Sequence, residues 1–343
     1  MTLGGIASSC WKPVQMPARR ALPIALLVAM LSLGPSAQGA STGHILALLN
    51  TERAANGIPA GIVENPQWSA ACAQHNAYEK RNHAFGHAET EGKPGYSAAG
   101  NLIASTSVLA QGIGWGSHDP YDNAPYHLFD LLNPRIDSTG AADSEGFDCV
   151  EVELGAGRAA PGAVRGYSFP GNGRRGIPVS QKASEQPMTP AQTLGLGTGA
   201  SGPNLLVYFD GPWTNGSRAQ IASATLTSAR GSIALKWLDN TTSNLLAPTG
   251  AILVPVRTLQ AATTYRVHVQ GTVTGVIPGS TIEPALSEGC HEELDGSVAC
   301  GQPPSTACVE DFATQLPLCG LSQSWPVREQ FSFTTAKATR PRA

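Results

Sequence analysis

The sequence predicts an α+β chain in two parts, a helix-first lobe followed by an all-β sandwich. In the first 150 residues apolar positions recur three and four apart behind helix-capping residues, whereas beyond residue 200 short runs of β-formers alternate with turn residues. Only 14% of residues are charged against 41% apolar, and the 38 glycines and 26 prolines favour loops and strands over solvated helices. A length of 343 residues is enough for two cores of ordinary size.

Arg19-Arg20, an apolar run from Ala21 to Leu33 and the small residues Ala37-Gln38-Gly39 follow the three-part plan of a secretory signal. The signal is expected over 1–39, with cleavage after Gly39 or Ala40 and with Met16 as an alternative start. Thirteen apolar residues at 1.5 Å each fall short of the roughly 30 Å of a bilayer core. No transmembrane anchor is therefore expected in the mature chain, which should be secreted, extracellular or periplasmic. Cys10 lies before the apolar run, which does not support a lipoprotein signal. Losing 1–39 leaves 19 basic against 25 acidic residues, a formal charge of −6, which argues against nucleic acid and anionic membrane as partners.

Thr42 is placed to cap a first helix carrying Ile45, Leu46, Leu48 and Leu49, with Asn56-Gly57 as its stop. Asn65-Pro66 opens a second, with Trp68, Ala71, Cys72, His75 and Tyr78 on one face. His75 on that stripe reads as a core histidine. Two more helices are expected over 98–110 and 120–132, the latter stopped by Asn133-Pro134, and Phe147–Leu154 alternates as a strand. This first domain is expected over 41–157, and Gly, Ala, Pro and Arg then mark a linker over 158–165.

The second domain is expected over 166–336, with strands at Asn204–Phe209, Ala219–Thr227, Ser232–Leu238, Ala251–Pro255, Thr264–Gln270 and Gln330–Thr335. Alternation over 264–269 puts His268 on the polar face. An insertion at about 277–325 holds four cysteines, and a tail covers 337–343.

Six cysteines remain after the signal, Cys72, Cys149, Cys290, Cys300, Cys308 and Cys319, an even number in an exported chain. Three disulfides are expected. Because four of the six cluster at 290–319, Cys72 with Cys149 is the simplest long-range pair. The late cluster lacks the C-x-x-C spacing of a zinc site.

Gly171-Asn172-Gly173-Arg174-Arg175-Gly176 matches a dinucleotide fingerprint in letters, but Ile177-Pro178 follows where a helix is required. No G-x-S-x-G elbow exists. His83 and His87 have the spacing of a zincin, yet Ala84 replaces its general base. His87, Glu89 and His127 remain as the candidate constellation. Neutral imidazoles suit a borderline cation, and a carboxylate beside them can bind metal, orient a ring or take a proton from water.

The order of these residues resembles the CAP superfamily of cysteine-rich secretory, antigen 5 and pathogenesis-related proteins, in its bacterial SCP-like branch. The resemblance rests on Leu48-Leu49-Asn50-x-x-Arg53, Asn65-Pro66 to Cys72-Ala73, His87-x-Glu89, Gly95-Tyr96-Ser97-x-x-Gly100, Trp115, Pro125-x-His127 and Leu131-Leu132-Asn133-Pro134-Arg135 before Gly140. It implies an α-β-α sandwich over roughly 43–155, with a cleft holding two histidines, here His87 and His127, and two acids, sometimes with a divalent metal. The family's Gly-Glu-Asn reads Ala99-Gly100-Asn101 here, and Ala124 stands where relatives carry Ser. The second half, from Phe169-Pro170-Gly171 to Phe331-Ser332-Phe333-Thr334-Thr335, is similar to bacterial Ig-like domains, which present or space a partner domain.

The resemblance and the incomplete acidic set imply a secreted, non-enzymatic protein binding an extracellular lipid, glycan, cell-wall or protein ligand in the His87, Glu89 and His127 cleft. No cofactor is required, and zinc on His87 and His127 is the metal the site could take. The alternatives are a metal-dependent hydrolase or protease in the same cleft, with Glu89 activating water, and an adhesin or scaffold acting through the Ig-like half.

Overall fold

A computed structural model of the chain describes residues 39–112, 114–116, 119–277, 290–292, 298–300, 306–311 and 316–338, with backbone alone over 290–321. The segment 1–38, with the expected signal, Cys10 and Met16, lies outside the described residues. The architecture is mixed, with more strand than helix.

The first part runs α1 (Thr42–Ala55), β1 (Val63–Glu64), α2 (Pro66–Asn82), α3 (Ala98–Thr106), β2 (Ser107–Gln111), α4 (Pro125–Leu131), β3 (Ser138–Thr139), β4 (Ala141–Ser144) and β5 (Phe147–Glu151). Ser41, one residue before the expected cap, closes α1 by accepting from His44 N at 3.3 Å. Asn65 caps α2 ahead of Pro66, as its sequence position predicts. Strands pair in the order β2-β5-β4, all antiparallel. Cys72, Ala71, Ile103, Leu109 and Cys149 form one buried cluster, so α2 and α3 cover one face of this sheet. Val108, Ala141 and Val150 face the other way, into a core with α1 and α4. Gly140 lets β4 approach α2 closely, since an added Cβ there would collide with the Trp68 side chain and the Ser69 backbone.

Past the expected linker come β6 (Arg165–Phe169), β7 (Arg174–Ile177), α5 (Pro190–Thr193), β8 (Leu205–Asp210), β9 (Arg218–Ser228), β10 (Gly231–Ile233), β11 (Leu235–Asp239), β12 (Gly250–Pro255) and β13 (Thr264–Val276). They are followed by β14 (Cys290–Glu292), β15 (Val298–Cys300), β16 (Thr306–Asp311) and β17 (Leu316–Thr335). One sheet has the order β11-β12-β8-β6, and the other has β10-β9-β13-β17-β16 with β7 added parallel to β17. His268 is exposed on β13, as the alternation predicts. Backbone register sets Cys290 opposite Cys300 and Cys308 opposite Cys319. Among the described residues no helix is long and apolar enough to cross a membrane.

The boundary at 158–165 divides helices from strands along the chain but does not divide the core. Leu205, Val207, Phe209, Ala251 and Leu253 pack with the larger sheet, on Val267, Val269 and Phe331. Leu206, Tyr208, Ile252 and Val254, on the opposite face of the same strands, join Ile45, Leu49, Phe129 and Leu131 of the helical lobe in one cluster. Phe129 stacks on Tyr208 with ring centres 4.6 Å apart, and Gly250 leaves room for the Phe129 ring. The central strands β8 and β12 of the four-stranded sheet are thus buried on both faces.

Cys72 and Cys149 form a disulfide that closes a separation of 77 residues and ties α2 to the central strand β5. The chain-entropy relation gives such a loop roughly 4 kcal/mol. Replacing both cysteines by alanine is expected to lower stability by about 3–4 kcal/mol in urea denaturation, and a loss below about 1 kcal/mol would count against the staple's role.

Candidate functional site

Glu89, His87 and His127 find separate partners. The loop after α2 bends at Gly86 and His87, which leaves the His87 side chain exposed and the Glu89 side chain buried. Glu89 is 7% exposed; its Oε1 meets Nδ1 of His75 at 3.1 Å, and its Oε2 accepts from Ser97 N at 2.8 Å. The exposed His87 ring bonds through Nδ1 to Ala104 O at 2.8 Å. His83, the other half of the i, i+4 pair, ends α2 in a left-handed conformation and so leaves the helical face on which a zincin pair would lie.

His75 is the core histidine expected from its stripe, and it organises the loop that carries the motif. Its Nε2 lies 3.1 Å from Gly86 O and 3.4 Å from Glu79, which in turn accepts from Gly86 N at 2.9 Å. Burial pulls the His75 pKa down, but hydrogen bonds and charge from Glu79 and Glu89 outweigh it and hold the ring above its ordinary 6.5.

His127 lies in the first turn of α4, where Ala124 offers no side-chain cap. The missing acceptor comes from Glu185, beyond β7, whose Oε2 accepts from Tyr126 N at 3.0 Å and meets His127 Nδ1 at 3.1 Å. Burial raises the Glu185 pKa, against the lowering effect of His127 and the helix backbone. The other face of the imidazole stacks on Tyr121, 5.7 Å between centres. Sequence reasoning missed Glu185, although an uncapped Ala124-Pro125 start signals that an outside acceptor is needed.

No hydrogen bond or ion pair joins His87, Glu89 and His127, and among the described residues no group of three or more His, Cys, Asp or Glu side chains could hold a metal ion. Glu89 and Glu185 are engaged in fixing the motif loop and the start of α4.

A different concavity, about 50 Å³ in volume, opens between the lobes. Asp130, Asn133 and Glu153 line it from the helical lobe, and Trp213, Thr214 and Asn215 from the β8–β9 connection. Two arginines hold its walls. Arg53, fully buried, donates to the carbonyls of Pro59, Leu131 and Asn133 at 2.8–2.9 Å, and burial brings its pKa down to about 9, still charged at neutral pH. Arg135 pairs with Asp210 at 2.5 Å and donates to Gly211 O and Trp213 O. Asp130 Oδ1 and Thr214 Oγ1 are buried without a hydrogen-bond partner. Burial, then the charges of Glu153 and Glu185, push the Asp130 pKa well above the carboxylate range, and burial also raises Glu153.

No protein-family model matches the chain, and no curated protein is detectably similar to it.

Because the His75 pKa is raised on folding, its contribution to stability is complete below about pH 6.5 and is lost as pH climbs through the folded-state value. Glu89→Gln is expected to lower that pKa in an NMR titration and to cost about 1–2 kcal/mol at pH 6 but less at pH 9. An unchanged His75 titration would contradict the pairing.

Proposed function

We propose that the chain is an exported, non-enzymatic CAP-like protein that binds a neutral, hydroxyl-rich extracellular ligand, a glycan of the cell surface or wall, in the cleft between its lobes. The observation that carries this reading is the pair of orphaned oxygens, Asp130 Oδ1 and Thr214 Oγ1, on two residues that line one cleft. A buried polar atom left without a partner costs roughly 1–3 kcal/mol, and a ligand hydroxyl reaching both would offset that cost on binding. Asp130 and Glu153 line the cleft, and Arg135, which also lines it, is already paired with Asp210, which favours a neutral sugar over an anion.

Layering supports the CAP-like half of the reading. Helices cover both faces of the β2-β5-β4 sheet, and Asn50, Arg53 and Arg135 of the resembling motifs all bind backbone groups. Ig-like character for the second half rests on its two packed, mainly antiparallel sheets. The hydrolase alternative needs Glu89 free beside two ligand imidazoles, and its oxygens are bonded to His75 and Ser97. The adhesin alternative stays attached to the exposed faces of the strands.

Screening neutral oligosaccharides on an array, then titrating the strongest binder calorimetrically, tests the assignment. Asp130→Ala and Thr214→Val are each expected to weaken binding by about tenfold, with His127→Ala within about twofold of wild type. Capture of no saccharide, or loss of binding in the His127 variant alone, would overturn it.

A further inference from the structure

Three carboxyl groups surround Tyr121 with no ion-pair partner among the described residues. Asp143 and Asp148 stand directly opposite each other on β4 and β5, and Asp119 turns the chain just before Tyr121. Asp148 is 1% exposed and lies against the Asp143 carboxyl with no cation on either oxygen among the described residues; Asp119, 6% exposed, has one oxygen without a hydrogen-bond partner. Burial, then the neighbouring Asp143, pushes the Asp148 pKa up to about 8, while burial above all brings Asp119 to about 7, with Asp122 and Glu52 adding to it. Tyr121 itself, wholly buried, feels the charges of all three and of Glu79.

One nitrogen reaches this group from a distant part of the sequence. Ala40 N donates to Asp143 Oδ2 at 2.9 Å, beside Trp115 N, which donates to the same oxygen at 3.1 Å. The next two residues hold Ala40 in place: Ser41 caps α1, and Thr42 Oγ1 donates to Ala141 O on β4 at 3.0 Å. The residues before it, Ala37-Gln38-Gly39, end the expected export signal.

We infer that processing cuts the Gly39–Ala40 bond and that the new α-ammonium of Ala40 is the cation of this acidic group, pairing with Asp143. This rests on the proposed export of the chain. Hydrolysis adds water across the bond: oxygen goes to the Gly39 carbonyl carbon, which leaves as a carboxylate, and the Ala40 nitrogen takes protons to become the ammonium. The amide N–H that already touches Asp143 is thereby replaced by a full positive charge at the same place. Its field also favours ionised Asp148, so the mature chain relieves a burden that the precursor carries. Cleavage one bond later would remove this nitrogen and leave Ser41, the α1 cap, as the terminus.

Two measurements test the inference. Mass spectrometry of the protein exported by a bacterial host should give a mature chain beginning at Ala40. The mature chain, the same chain acetylated at its α-amine, and one extended by Gln38-Gly39 should then be unfolded in urea at pH 7. Acetylation or extension is expected to raise the unfolding constant by about tenfold or more. The difference should vanish in the Asp143→Asn background. Retention of 1–39 would overturn both the export reading and this inference. An exported chain beginning elsewhere, or equal stability of the free, acetylated and extended forms, would overturn the ammonium pairing while leaving export standing. Should Asp143→Asn fail to fold, the α-amine titration decides, since pairing raises its pKa above the ordinary value of about 7.7–8.0 and an unshifted value would overturn the pairing.

Discussion

The packing of one sheet face against two helices is the constraint on which the rest of the molecule depends. Leu206, Tyr208, Ile252 and Val254 lie against α1 and α4, and Phe129 over Tyr208 is the centre of that contact. Buried apolar surface at roughly 25 cal/mol per Å² outweighs the few polar links across the same junction, whose net worth is about 1 kcal/mol each. Those links set geometry instead. Arg135 on Asp210, Asn56 on Gly171 N and Glu185 on the start of α4 fix the register of two surfaces already held together. The cleft exists because this junction closes beneath it while the β8–β9 connection rises beside it.

Polar residues that carry the CAP resemblance serve the backbone. Asn50 bridges Gly61 and Ile62, Arg53 gathers three carbonyls, and Glu89 joins His75 to the start of α3. A buried charge among carbonyls is costly to remove, because the orphaned groups it leaves are worth several kcal/mol. In this chain those residues are spent on the scaffold, and the unpartnered oxygens of the cleft, on Asp130 and Thr214, lie on residues that no motif singled out.

Local signals were the most legible. Asn65-Pro66 marks the start of α2, the stripe through Cys72 and His75 marks its buried face, and Val267 and Val269 alternate inward as expected. The helix expected over 98–110 instead ends at Thr106 and continues as β2, where Ser107 and Val108 pair with Glu151 and Val150. Tertiary pairing with β5 overrides helix propensity at that point. The strand expected over 232–238 splits at Ala234 into β10 and β11, which belong to different sheets. β6 and β7 are short and carry no clear alternation, with Gly and Arg at two of five and three of four positions. The shared core did leave a trace in the unbroken apolar runs at 205–209 and 251–254, which mark strands buried on both faces, unlike the alternation of β13. Glu185 left none beyond an uncapped helix start, since its contact spans nearly sixty residues.

Cooperativity of unfolding tests the shared core most directly. Differential scanning calorimetry of the chain should show one transition whose calorimetric and van't Hoff enthalpies agree, because one buried cluster is shared by both lobes. Two resolved transitions, one for each lobe, would contradict the account and return the chain to a pair of independent domains.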